Sequence, residues 1–296
     1  MKREFCLGSE WLYYKIYTGV QTADLLLLQE FAPVIEQLKA QKVIEKWFFI
    51  RYNDPDSHLR LRFLVTQPEA IATIISAFHP VFESLLVNHL VWKVQTDTYK
   101  RELERYGEAS MVDSETLFGY HSELIVAYLK HKPNFEVATQ LLFGLFTIHR
   151  FLEGFQLSGA EKHELMRQLQ LNFKKEFNAD ALTNKELDKQ YRKREVEITA
   201  VLLGKTDAPF GVLIPFIETK MAATALLISK IKIQLEIPLF DFLSSHIHMM
   251  VNRQFTSRQR QYELLIYDHL YRFYKTQELR NAKELGLTFK SHPFDL

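Results

Sequence analysis

Three stretches of the chain collect residue types that could do chemistry. In His58-Leu59-Arg60-Leu61-Arg62-Phe63, polar and apolar residues alternate without a slip. Successive side chains of a strand point to opposite faces, so His58, Arg60 and Arg62 share one face and Leu59, Leu61 and Phe63 the other. Two guanidinium forks on one strand could hold a carboxylate or phosphate through paired hydrogen bonds. The same alternation also describes the solvated outer face of an antiparallel sheet. The second stretch is Tyr99-Lys100-Arg101-Glu102-Leu103-Glu104-Arg105-Tyr106-Gly107. A helical turn there would set Arg101 and Arg105 on one face, with Glu102 placed to orient the Arg105 fork towards the arginine strip. The competing reading is a charge-laced surface turn whose ion pairs contribute little. The third stretch is His246-Ile247-His248-Met249-Met250-Val251-Asn252-Arg253. On a helix His248 and Asn252 share a face, with Arg253 near the helix C-terminus. An imidazole can both take and give a proton near neutral pH; among apolar residues it can equally be a hydrogen-bonded core residue. His246 and His248 are two positions apart, do not face one metal on a helix, and have no Cys or His-x-x-x-His partner, so no metal site is expected.

The elements that must position these residues can be read from periodicity. Trp11–Tyr17, Trp47–Tyr52, His58–Val65 and Val91–Tyr99 are short, rich in aromatic and β-branched residues and bounded by turn formers, which predicts strands. Asn53-Asp54-Pro55-Asp56-Ser57 predicts a turn closing the second and third strands into an antiparallel hairpin. Thr22–Lys42 carries Leu25, Leu28, Phe31, Ile35 and Leu38 at helical spacing, with Pro33 marking a kink or break. From Ser114 onward the pattern is helical, over Phe135–Gln156, Ala160–Phe177, Glu186–Leu203, Ile214–Leu235, Leu239–Asn252 and Ser257–Leu279. The expectation is an α+β fold, a small antiparallel sheet in the N-terminal third packed against a helical remainder. No repeat and no Ser/Gly/Pro-rich linker divides the chain, so a single domain over residues 1–296 is expected.

Composition bounds the function. The chain has 296 residues, 47% hydrophobic and 25% charged, ordinary globular proportions that exclude a disordered or low-complexity chain. Lys+Arg 37 against Asp+Glu 36 gives a net charge of +1, which lacks the field of a general nucleic-acid binder; no direct tRNA binding is expected. Cys6 is the single cysteine, excluding an internal disulfide and any multi-Cys metal or Fe–S site and fitting a reducing compartment. The first residues lead into no apolar signal region, and the longest apolar run, Met221–Ile228, is far below the ~18 residues needed to span a bilayer. A soluble, cytoplasmic protein without a membrane span is expected.

Taken in order, a set of short motifs carries a resemblance. They are Trp11-x-Tyr13-x-Lys15-Ile16-Tyr17-x-Gly19; Trp47-Phe48-Phe49-Ile50-Arg51-Tyr52-x-Asp54-Pro55-x-x-His58-Leu59-Arg60-Leu61-Arg62-Phe63; Gln95-x-Asp97-x-Tyr99-x-Arg101-Glu102-x-x-Arg105-Tyr106-Gly107; and His248-Met249-x-x-Asn252-Arg253. In combination they resemble the C-terminal elimination domain of lantibiotic dehydratases, also called the thiopeptide-type bacteriocin biosynthesis domain, over nearly the whole chain. The resemblance implies a lyase that expels glutamate from glutamylated Ser and Thr of a ribosomal precursor peptide, leaving dehydroalanine or dehydrobutyrine. It implies that Arg60, Arg62 and Arg105 bind the glutamyl adduct, that Glu102 supports them and that His248 is the catalytic histidine, with Arg101, His58, Asn252 and Arg253 as supporting residues. It implies no cofactor. The precursor peptide and a separate glutamylating protein would be partners, the chain being a free-standing, split form, and self-association into a homodimer is compatible with it. One position departs from the family: His121 stands before Ser122 where the family usually has Asp. The same fold also serves thiopeptide pyridine synthases, which join two dehydroalanines by a formal [4+2] cycloaddition, and a non-catalytic peptide-binding scaffold is a further alternative.

Overall fold

Aromatic and β-branched runs form strands where alternate side chains can be buried on a pleated surface. In the computed structural model of the protein, which describes residues 1–136, 138–205 and 207–284, the strands are β1 (Glu4–Phe5), β2 (Trp11–Thr18), β3 (Ile44–Asn53), β4 (Ser57–Val65), β5 (Val91–Thr96) and β6 (Tyr99–Lys100). The helices are α1 (Thr22–Leu25), α2 (Ala32–Ala40), α3 (Ile71–Val87), α4 (Leu103–Tyr106), α5 (Met111–His131), α6 (Thr139–Gly154), α7 (Gly159–Glu176), α8 (Ala181–Leu202), α9 (Ile214–Gln234), α10 (Leu239–Gln254) and α11 (Gln259–Glu284). The fold is α+β, with its sheets in the N-terminal third and helices after it. The backbone gathers into two compact units: Met1–Glu136 with Val212–Gln259, and the described residues between 137 and 211 with those from 260 onward.

The first unit holds both sheets: an antiparallel four-stranded one in the order β3-β4-β2-β5, and a two-stranded ribbon of β1 and β6. The predicted hairpin forms, with Asn53 opposite Ser57 and Phe48 opposite Arg62. β4 also pairs with β2, setting Tyr13 opposite Arg62 and Lys15 opposite Arg60. Being internal to the sheet, β4 buries both of its faces: Leu59, Leu61 and Phe63 on one, His58 and Arg62 on the other, with Arg60 half-buried. The apolar face meets α3, where Phe78 packs on Tyr14, Phe31 and Phe63 with ring centroids 5.4 to 6.1 Å apart. The strand predicted over Val91–Tyr99 is divided, because Asp97 and Thr98 separate β5 from the ribbon strand β6.

Residues 22–40 are helical throughout, but Leu26–Phe31 is wound as a π-helix. Pro33 causes no break in this run; it falls immediately after the π turn, at the junction where the winding changes to α2. The wider π turn shifts the buried register, so Leu26 and Leu27 are buried while the expected Leu25 is 43% exposed. Two segments, Pro68–Val87 and Gly211–Gln234, are long and apolar enough by length and composition to cross a membrane. For the first, that character serves the core through Ile74, Phe78, Phe82 and Leu85.

The second unit is helical. α7 starts at a capping box in which Ser158 Oγ accepts from the Glu161 N–H at 3.2 Å and the Glu161 carboxylate accepts from the Ser158 N–H at 2.7 Å. α8 begins five residues before the predicted Glu186, because Asp180 caps it by accepting from the Thr183 N–H at 2.8 Å. On α11 of the same unit, the buried Asp268 is held by Lys174 at 2.8 Å and Arg272 at 2.7 Å, and Arg272 also reaches Asp188 at 2.7 Å. These cations keep Asp268 ionised despite its burial, its pKa held well below the usual carboxylate range.

Candidate functional site

β3 is an edge strand, and a row of unpaired backbone groups on an edge must be satisfied or covered. Three side chains do this here. Ser122 of α5 accepts from the Phe49 N–H at 3.2 Å, and Arg253 of α10 donates Nε–H to the Phe49 carbonyl at 2.8 Å. One turn away on the strand, the Asn252 amide accepts from the Arg51 N–H at 2.9 Å and donates to the Arg51 carbonyl at 2.8 Å, imitating a paired strand residue. Arg51, fully sequestered, returns a hydrogen bond from Nε to the Arg253 carbonyl at 3.0 Å and forms an ion pair with Asp24 at 2.6 Å. Gly119 allows α5 to lie this close, since a Cβ there would stand 3.0 Å from the Trp47 carbonyl oxygen.

This closure carries Arg253 into the interior, where it and Arg62 line a small cavity of about 60 Å³ with Tyr99, Glu102, Tyr106, Met249 and the rings of Phe48 and Phe118. Arg253 spends Nε on Phe49 and Nη1 on the Met249 carbonyl at 3.0 Å; its Nη2 is buried without a partner. The Arg62 carbon Cζ lies 4.4 Å from the Tyr13 ring centroid, 5.0 Å from that of Tyr99 and 5.3 Å from that of Phe48, and its Nε is buried without a partner. Among the described residues no carboxylate forms an ion pair with either guanidinium. Aromatic faces compensate part of such a burial, but a charge without a counter-charge remains costly. Burial, with Arg62 close by, lowers the pKa of Arg253 to about 9, and burial also lowers that of Arg62. Two buried cations facing one cavity form a site that a carboxylate entering it would relieve, through charge-assisted hydrogen bonds.

The remaining predicted residues fall around this centre. His58 is buried with Nδ1 on the Asp56 carbonyl at 2.8 Å, so Nε2 is the acceptor that receives Arg60 Nε–H at 3.0 Å. Burial lowers its pKa, which keeps that acceptor available. Arg60 is fixed further by the Tyr52 ring, 3.5 Å from its Cζ. Glu102 and Arg105 form an ion pair at 3.1 Å, both more than half exposed; Glu102 lines the cavity and Arg105 stands outside that lining. The expected shared face of Arg101 and Arg105 does not form, because the helical turn begins only at Leu103. Arg101 is buried instead, its fork gripped by Glu115 at 2.6 and 2.7 Å, and its charge is taken up there. The turn stops at Gly107, whose φ of 73° and 2.9 Å approach to Ser110 leave no room for a side chain. On α10, His246 is the core histidine: it lies among Tyr106, Phe118 and Phe242, is hydrogen-bonded to Ser114 at 3.2 Å, and burial lowers its pKa to about 3. His248 is half-buried and precedes Met249 of the cavity wall. Asn252 is occupied with the β3 backbone.

Sequence reasoning missed Arg51, Ser122 and the box of Tyr13, Phe48 and Tyr99 around Arg62. The box had a signal, because Tyr13 and Phe48 fall opposite Arg62 once the strands are paired in register. Removing the Asn252 amide leaves two Arg51 backbone groups without partners. Asn252→Ala should therefore destabilise the protein by about 2–4 kcal/mol in denaturant unfolding, counting roughly 1–2 kcal/mol for each orphaned group. A loss under about 0.5 kcal/mol would show that α10 is not held to β3 by this contact.

With this geometry in place, comparison with known proteins is informative. The family model described as lantibiotic biosynthesis dehydratase C-term matches residues 11–274. The chain is 28% identical over 176 residues to the subtilin biosynthesis protein SpaB of Bacillus subtilis, a match covering 58% of this chain and 17% of that protein. It is 30% identical over 128 residues to the nisin biosynthesis protein NisB of Lactococcus lactis subsp. lactis, covering 42% of this chain and 12% of that one. The matched region thus spans less than a fifth of either relative. Among solved structures, the tRNA dependent lantibiotic dehydratase MibB from Microbispora sp. 107891 superposes with a TM-score of 0.75 at 19% identity, over 94% of this chain and 29% of that one. The pyridine synthase TbtD from thiomuracin biosynthesis superposes with a TM-score of 0.60 at 13% identity, over 91% of this chain and 98% of that one. At such identities the superpositions speak to the fold alone. The family match spans most of the chain and includes both cavity arginines, and the protein belongs to the lantibiotic biosynthesis dehydratase C-terminal family.

Proposed function

We propose that this chain eliminates glutamate from glutamylated Ser and Thr side chains of a ribosomal precursor peptide, giving dehydroalanine or dehydrobutyrine. The observation that carries this reading is the pair of buried guanidiniums, Arg62 and Arg253, that line one cavity and, among the described residues, form no ion pair, the Glu102 carboxylate of the same wall being engaged by Arg105. In the reaction a base removes the peptide α-proton, a Cα=Cβ double bond forms, and the Cβ–O bond breaks with its electron pair leaving on the glutamate carboxylate. Negative charge therefore develops at two places, the enolate-like amide oxygen and the departing carboxylate. Fixed cations in a water-poor cavity stabilise both without being deprotonated. Arg60, held by His58 and Tyr52, and Arg105, held by Glu102, extend the cationic surface around the adduct. His248 transfers the proton, as base for the α-proton or as acid to the leaving group; His246 is unsuited because its low pKa and its bond to Ser114 commit it to the core. Both compact units serve one elimination domain on this reading. A separate glutamylating protein delivers the adduct to a soluble, cytoplasmic enzyme.

The pyridine synthase reading has only the shared fold behind it, TbtD superposing at 13% identity. Against it stand the higher identity to the lantibiotic proteins and the chemistry of the cavity, since a cycloaddition substrate has no glutamate for Arg62 and Arg253 to receive.

In a precursor treated with a glutamylating protein and this chain, Arg62→Ala should let glutamyl adducts accumulate in the mass spectrum. Losing one charge-assisted contact to a buried anion costs roughly 2–4 kcal/mol, about 30- to 1000-fold in rate. Arg60→Ala and Arg105→Ala should also accumulate adduct, but less, because their charges are better solvated. Native rates of dehydration in all three would remove the arginines from the reaction. His248→Ala should slow elimination by roughly 10²–10⁴-fold, the usual worth of a positioned acid or base, while its melting temperature stays near native. Activity lost only in proportion to lost fold would make His248 a structural residue.

A further inference from the structure

α9 is apolar on two sides, and the first unit buries only one of them. Ile217, Thr224, Ile228 and Ile231 turn inwards. α5 holds the helix in place, through Lys230 on Asp113 at 2.8 Å, Gln234 on the same carboxylate at 2.8 Å and Lys220 on Glu123 at 2.6 Å. The other side carries Pro215, Thr219, Ala222, Leu226, Ser229 and Ile233, all of them exposed. Leu226 is 86% and Ile233 88% exposed, a cost in water that burial against an apolar partner would remove. These outer residues, added to the buried ones, give the segment the composition of a membrane span.

The outer residues alternate in steps of four and three, which is the spacing of the seam between two paired helices. The order reads the same from either end. In an antiparallel pair about a two-fold axis beside Thr224, Ala222 meets Leu226, Pro215 meets Ile233 and Thr219 meets Ser229 of the second copy, so each large side chain faces a small one. A parallel pair would stack Leu226 on Leu226 and Ala222 on Ala222, crowding one layer and leaving a void in the next. No charged residue stands in the seam. Its two hydroxyls are already spent within the helix, Thr219 Oγ1 donating to the Pro215 carbonyl at 2.8 Å and Ser229 Oγ to the Ala225 carbonyl at 3.0 Å, so both can be buried at little cost. The flanks agree with the same symmetry: Glu218 and Lys232 hold the heptad positions that meet across an antiparallel pair, and two opposite-charge contacts follow from one axis.

We propose that α9 is a self-pairing helix, through which two copies of this chain join antiparallel along Pro215–Ile233 in an isologous contact. The seam is about 27 Å long at the rise of an α-helix. α9 is already ordered by its packing on α5, so pairing carries no cost of forming the helix. The contact uses none of the residues of the arginine cavity and does not depend on the reaction proposed above.

The test is sedimentation velocity of the full chain over a concentration series. It should show a dimer of twice the 35.0 kDa chain mass. Dissociation is expected at concentrations on the order of micromolar, as for other small interfaces. Leu226→Glu should leave a monomer whose melting temperature is native, because the side chain it replaces is exposed in the single chain. Glu218→Lys and Lys232→Glu should each weaken the dimer roughly tenfold, and the double variant, which swaps the charges, should restore it. A monomer at every concentration, a dimer unaffected by Leu226→Glu, or a double variant no better than the single ones would overturn the proposal. So would a wild-type monomer that sediments with phosphatidylglycerol vesicles and loses that property in Leu226→Glu, since the face would then belong to a lipid surface.

Discussion

The open edge of β3 is the constraint from which the site follows. A strand edge inside a helical surround leaves N–H and C=O groups that water cannot reach, and each costs on the order of 1–3 kcal/mol if it stays unpaired. Here the groups of Phe49 and Arg51 are taken by Ser122, Asn252 and Arg253 rather than by another strand. A further strand would have closed the edge with backbone alone. Closing it with side chains draws the C-terminal turn of α10 against the sheet, and one of those side chains is a guanidinium with donors to spare.

The electrostatic character of the cavity is a consequence. Arg253 uses two of its nitrogens on carbonyls that are fixed in place, which orients the third. Arg62 is held by rings on both sides of its strand, so it too is rigid before any ligand arrives. Rigid donors do not need to reorganise as charge develops, which is the general requirement for stabilising an anionic transition state. Arg101 shows the contrast. It is equally buried, but Glu115 neutralises it, and so it braces the ribbon and α5 instead of receiving a ligand.

Local patterns were legible in the sequence and distant covers were not. The shared face of His58, Arg60 and Arg62 follows from a period of two, and the hairpin from its Asn-Asp-Pro-Asp-Ser turn. That this face is buried depends on β2, Tyr99 and Phe118, which no local pattern ties to β4. Arg101 and Arg105 looked equivalent by spacing and were separated by a helix start two residues later than assumed and by Glu115. For Asn252 the helical face was readable, but its partner is the backbone of a strand some two hundred residues earlier. The π turn escaped because the leucine run at its start, Leu25 to Leu28, satisfies several registers at once. The resemblance supplied what spacing could not, namely which of two nearby histidines to follow.

The central claim is that Arg62 and Arg253 together receive a carboxylate. The most direct measurement is a crystal structure of the protein soaked with L-glutamate. The account predicts a glutamate carboxylate in the cavity, within about 3 Å of both guanidiniums, with Arg62 and Arg253 otherwise unmoved. Glutamate bound elsewhere, or density for water alone between the two arginines at saturating glutamate, would contradict it.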